Sequence, residues 1–122
     1  MTSFILRLFQ TPSSFRADPW GYLRNQVAHG YLIGGAGTLI LTAQGWSPDL
    51  ALAVVLALYG LWELAQWRLA RAEGWDCLED VAFVAVVAIS VARGVPEGLV
   101  VHALFLAAGF RRRRADQGRM VH

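Results

Sequence analysis

The side chains able to do chemistry in this chain fall in three short clusters: NQVAH at 25–29, ELAQW at 63–67 and DCLED at 76–80. Together they supply Asn25, Gln26, His29, Glu63, Gln66, Asp76 and Asp80. One imidazole with two carboxylates can ligate zinc. The chain has no HExxH-type pair, however, and each ligand would come from a different segment, so neither a metal nor any other cofactor is expected. A carboxyl in an apolar wall can exchange protons with an imidazole partner. No nucleophile accompanies the pair, because Ser90 falls toward the opposite face, so no catalytic residue is assigned and enzymatic activity is not expected. What remains is recognition of a ligand or partner by converging polar groups. Its rival is purely structural, with the same groups as hydrogen-bonding glue between helices.

The background to these clusters is apolar. Hydrophobic residues make up 56%, mean hydropathy is +0.41 and only 16% of residues are charged, against roughly 25% in soluble domains. That composition points to a bilayer as solvent. All eleven basic residues are arginine, which with the abundant Ala, Val and Gly suggests a GC-rich bacterial or phage genome. A single cysteine, Cys77, excludes an internal disulfide and any multi-cysteine metal site. The N-terminal FILRLF carries Arg7 and no cleavage site, so it is expected to stay attached. The block Arg111–Arg114 lacks interleaved aromatics, which argues against nucleic acid and for a cytoplasmic stop after a span.

Four apolar stretches follow one another in what reads as one domain. The first runs from Tyr22 to Ala43. After the loop QGWSPD, Ser47 as N-cap and Pro48 at the first helical position start a second, from Asp49 to about Ala70. The third covers Cys77 to Ala92, closed by Arg93, Gly94 and Pro96, and the fourth Glu97 to Phe110. A span asks for about 20 residues. The last two look short, at about 16 and 14 residues, and the fourth could be a re-entrant arm. Arginines alternate between rich and poor flanks: Arg7, Arg16 and Arg24, then none, then Arg68 and Arg71, then Arg93, then the block. This pattern favours an all-α protein of four transmembrane helices with both termini in the cytoplasm. Residues 1–19 are expected to be an interfacial segment, 20–110 the membrane domain and 111–122 a disordered basic cytoplasmic tail. Trp20, Tyr22, Trp46, Trp67 and Trp75 fall near boundaries, as interfacial aromatics do.

That topology sets depths. His29, Glu63 and Asp80 all come to lie about 7–10 Å inside the cytoplasmic boundary. Gln26, Gln66 and Asp76 sit one turn closer to water. Helical spacing puts Gln26, His29, Gly30, Ile33 and Gly37 on one face, with Tyr59, Glu63, Gln66 and Ala70 on a second, and Asp76, Asp80, Phe83 and Val87 on a third. Each ionisable group facing lipid would cost on the order of 2.5–3.5 kcal/mol at the bilayer centre, somewhat less at this depth, so the faces are expected to turn inward. The result is a polar shelf opening to the cytoplasm, with His29 against Glu63 or Asp80 and Arg24 as counter-ion. His102 is expected to be locally hydrogen-bonded and outside the shelf. Gly30, Gly34, Gly37 and Gly60 are expected to seat neighbouring helices, within the chain rather than in a second copy.

NQxxH, ExxQW and DxxED, each in its own span, resemble the motifs of the VanZ-like membrane proteins over about residues 20–92. Asn25, His29, Glu63, Gln66, Asp76 and Asp80 match motif positions. Asn25 and Gln26 stand where the family often has an acidic–basic pair, and the Asn that often follows the last Asp is missing. Similar small proteins occur in phage and prophage genomes of Gram-negative bacteria. The resemblance implies a multi-pass inner-membrane protein of the bacterial envelope, with a His/Glu/Asp pocket for a headgroup, an ion or a partner. Membrane lipid and a protein partner or second copy are the expected contacts. Small size and a basic tail also suit a phage holin-like lysis protein, and short spans an accessory subunit of a larger membrane complex.

Overall fold

A computed structural model describes residues 15–69 and 72–120, and among these the chain is all helical, with no strand. Residues 1–14, with Arg7 and most of the expected interfacial segment, lie outside the described residues, as do Ala70 and Arg71.

The first rod is continuous from Pro19 to Ala43 but changes its winding twice. It begins as α1 (Pro19–Val27), widens into a π-helical segment (Ala28–Ala36) and returns to α geometry in α2 (Gly37–Ala43). Its start lies three residues before the apolar stretch because Asp18 and Pro19 form a cap. The Asp18 carboxylate accepts from the Gly21 N–H at 2.8 Å, and proline's fixed φ suits the first turn. Helix α3 (Pro48–Leu69) starts where Ser47 and Pro48 indicate, with the Leu50 N–H donating to Ser47 Oγ at 3.3 Å. Helix α4 (Gly74–Arg93) ends at Gly94, whose φ of 64° is the left-handed conformation that glycine adopts without strain. Helix α5 runs from Glu97 to Met120.

Two expectations change. The third and fourth helices are not short, at 20 and 24 residues. From Arg111 to Met120 the chain is helix, not a disordered tail. Arginine is a good helix former, and Arg113 holds this last stretch to the bundle. Its guanidinium lies 3.6 Å from the centre of the Tyr22 ring and 3.5 Å from Glu79 Oε2. Tyr22 is therefore buried, not interfacial. Trp20, Trp46, Trp67 and Trp75 are exposed.

The rods form an antiparallel bundle around α4, which packs on the π segment, α2, α3 and α5, while α5 also packs on α1. Arg16 meets Glu73 at 2.5 Å and Trp20 meets Phe110 edge-on, so the N-terminal flank, the start of α4 and the arginine-bearing end of α5 share one end. At the other end Arg93 bonds Asp49 at 2.6 Å. The core is thin, built on Val55, Tyr59, Val84 and Ala88. Leu32, Leu58, Leu61, Leu104 and Phe105 remain exposed. One helix, α3, is long and apolar enough to cross a membrane, and only 22% of its apolar window is buried.

Candidate functional site

The π segment comes close to the backbone of α4 at Gly34. A Cβ at Gly34 would stand 2.6 Å from the Val84 carbonyl oxygen, and one at Gly30 would stand 2.7 Å from Nε2 of His102. Both glycines thus seat other parts of this chain. Gly37 makes an ordinary contact with Val55, whereas Gly60 has nothing within 4 Å, so its expected packing role is not found. The wide winding also resets the buried face. Gln26, Gly30, Gly34 and Thr38 point inward, while Ile33, assigned to that face on α spacing, is exposed.

With the helices so close, the polar residues meet. The Gln26 amide donates to Asp80 Oδ1 in a buried hydrogen bond, and His29 Nδ1 lies 3.3 Å from Asp80 Oδ2. The Tyr59 hydroxyl is 3.1 Å from that same Nδ1. One imidazole nitrogen therefore faces two partners. It donates when it carries its hydrogen, and accepts from Tyr59 when it does not. Glu63, one turn beyond Tyr59 on α3, is only 3% exposed, with Cys77 beside it. Among the described residues no donor stands in full hydrogen-bonding geometry with either oxygen of its carboxyl, although the Tyr59 hydroxyl and the Cys77 thiol lie close enough to interact with it, and Gln26 Oε1 is likewise orphaned. Asp76 is buried one turn before Asp80, while Asn25 and Gln66 are half-buried.

The three segments do converge, then, with Asp80 as the partner of His29. What they build is a closed network, not an open chamber. His29, Glu63 and Asp80 line none of three clefts that open on the surface, whereas Asp76 lines one of them. Arg24 is exposed and forms no ion pair among the described residues, so it is not the counter-ion. Among the described residues, no group of three His, Cys, Asp or Glu side chains is arranged to hold a metal ion. Ser90 donates to the Val86 carbonyl at 2.7 Å, far along α4 from the network.

His102 departs from its expectation. It is fully buried between the rings of Tyr31 and Phe83, both edge-on at about 5 Å, and neither ring nitrogen has a hydrogen-bond partner. Tyr59 and Cys77 are the members of the network missed among the candidate residues. Their signal was positional, four residues before Glu63 and three before Asp80. A second polar group, Tyr22–Glu79–Arg113, carried no motif at all.

No family model, curated protein or solved structure matches the chain.

Proposed function

We propose that this is a small four-span protein of the bacterial inner membrane, with both termini cytoplasmic and a VanZ-like motif set, whose buried shelf takes up and releases a proton. The observation that carries the shelf reading is Glu63, a buried carboxyl beside the Tyr59 hydroxyl and the Cys77 thiol, neither of them in full hydrogen-bonding geometry with its oxygens. A carboxylate buried with so few well-placed donors, and with the Asp80 carboxyl close by, is costly, and a proton relieves it. Beside it, His29 Nδ1 stands between Asp80 and Tyr59 and can exchange donor and acceptor roles. Chains of Asp, Glu and His inside membranes are the usual form of proton relays. A headgroup is a poorer occupant, because the network is closed.

The membrane setting is supported by the many large apolar side chains left exposed on every rod. Exposed apolar side chains in such number suit a lipid surrounding better than water. The gathering of Arg16 and the arginine-bearing end of α5 at one end fits a cytoplasmic face.

The test is infrared spectroscopy of the full chain in lipid bilayers at neutral pH. Wild type should show a protonated-carboxyl band that exchanges slowly in heavy water and is missing in Glu63→Gln. Identical spectra for the two proteins would remove the proton from this site. Membrane residence is read separately, as resistance to alkaline extraction.

A further inference from the structure

Two adjoining clefts flank the start of α4. The first, of about 390 Å³, is charged: Arg16, Arg112 and Arg113 line it together with the acids Glu73, Asp76, Glu79 and Asp116. The second, of about 320 Å³, is an apolar groove between α4 and α5, walled by Leu78, Ala82, Val86 and Phe105. Trp75 and Glu79 line both, so the charged cleft adjoins the groove. From Trp75 to Val86 the groove runs roughly 16 Å along α4, at 1.5 Å per residue.

The charges say what kind of head the cleft fits. Arg16 is engaged by Glu73, and Arg113 by Glu79. Arg112 and Asp116, one turn apart on α5, have no ion-pair partner among the described residues. They offer one cation and one anion side by side. An anionic head would use the first and be repelled by the second; a head carrying both a phosphate and an ammonium uses both. Trp75, 76% exposed at the rim, supplies an aromatic face at the level where headgroups lie. Below it the groove gives an acyl chain a wall of apolar side chains.

We propose that the adjoining clefts bind one zwitterionic phospholipid of the phosphatidylethanolamine type. Its phosphate sits at Arg112, its ammonium at Asp116, and one acyl chain lies between α4 and α5. This inference rests on the membrane reading but not on the proton shelf, whose His29, Glu63 and Asp80 line neither cleft.

The experiment uses the full chain, extracted from membranes in a mild non-ionic detergent. It is supplied with phosphatidylethanolamine or with phosphatidylglycerol, and the bound lipid is read by native mass spectrometry. One phosphatidylethanolamine should stay bound in preference to phosphatidylglycerol. Ala82→Trp, which fills the groove from an exposed position, should weaken it about tenfold, the burial of roughly two methylenes. Arg112→Ala should weaken it about fivefold, as expected for one arginine at a membrane surface. Ala53→Trp, on the exposed surface of α3, should leave binding unchanged. Equal retention of both lipids, or undiminished binding in Ala82→Trp and Arg112→Ala, overturns the site while leaving the membrane reading standing. A chain recovered in the soluble fraction overturns both.

Discussion

Replacing Gly34 with alanine tests the helix approach on which the shelf depends. The new methyl carbon would start 2.6 Å from the Val84 carbonyl oxygen and 3.3 Å from Val84 Cα. The first of these distances is too short for a carbon–oxygen contact, and the opposing atoms are backbone, which cannot rotate away. The π segment and α4 must therefore separate by several tenths of an ångström. Overpacking of this kind costs about 1–3 kcal/mol. Exchanging glycine for alanine inside a helix returns roughly 0.5–1 kcal/mol, so the net loss should lie within about 0–2.5 kcal/mol. Gly60→Ala is the matched control. Nothing lies within 4 Å of a Cβ there, so only the propensity gain remains. The two alanine variants should shift stability in opposite directions, read as unfolding of the detergent-solubilised protein followed by circular dichroism. If Gly34→Ala stabilises as much as Gly60→Ala, the close approach of the π segment to α4 is wrong, and with it the route by which His29 reaches Asp80.

Other consequences are equally open to measurement. His102→Leu removes a buried imidazole with two unsatisfied nitrogens and keeps an apolar side chain in its place. It should leave stability unchanged or raise it by about 1–3 kcal/mol, and a clear loss would reveal a hidden partner. Arg113→Ala deletes the guanidinium stacked on Tyr22. A loss of about 0.5–2 kcal/mol should accompany faster hydrogen exchange from Phe110 to Met120, and unchanged exchange there would mean that something else holds the end of α5.

The sequence was most informative where one local rule acts alone. Ser47 and Pro48 start α3 and Gly94 ends α4 because a cap or a left-handed turn needs little from the rest of the fold. The meeting of Gln26, His29, Asp80 and Glu63 was legible for a different reason: polar groups with equal spacing from their helix ends have few other places to turn. The failures share a cause too. A run of four arginines looks solvent-bound when read for polarity, yet its backbone has high helix propensity, and Arg113 finds an aromatic ring across the bundle. His102 has no local partner because the groups around it, Gly30, Tyr31 and Phe83, come from distant elements and surround it with apolar surface. Ile33 was misassigned because a period of 3.6 was applied where the chain does not keep it.

That change of winding has a mechanical consequence. Between Ala28 and Ala36 the first rod carries extra chain per turn, which fixes the rotational phase of NQVAH relative to the half that follows Gly37. Deleting one residue inside the segment would swing the two halves against each other by about 100°, the angle of one α-helical residue. The far half could keep its grip on α3 and α4 only if Gln26 and His29 turned away from Asp80. The wide segment thus works as a phase joint, letting one rod serve two sets of neighbours that a uniform helix could not satisfy together.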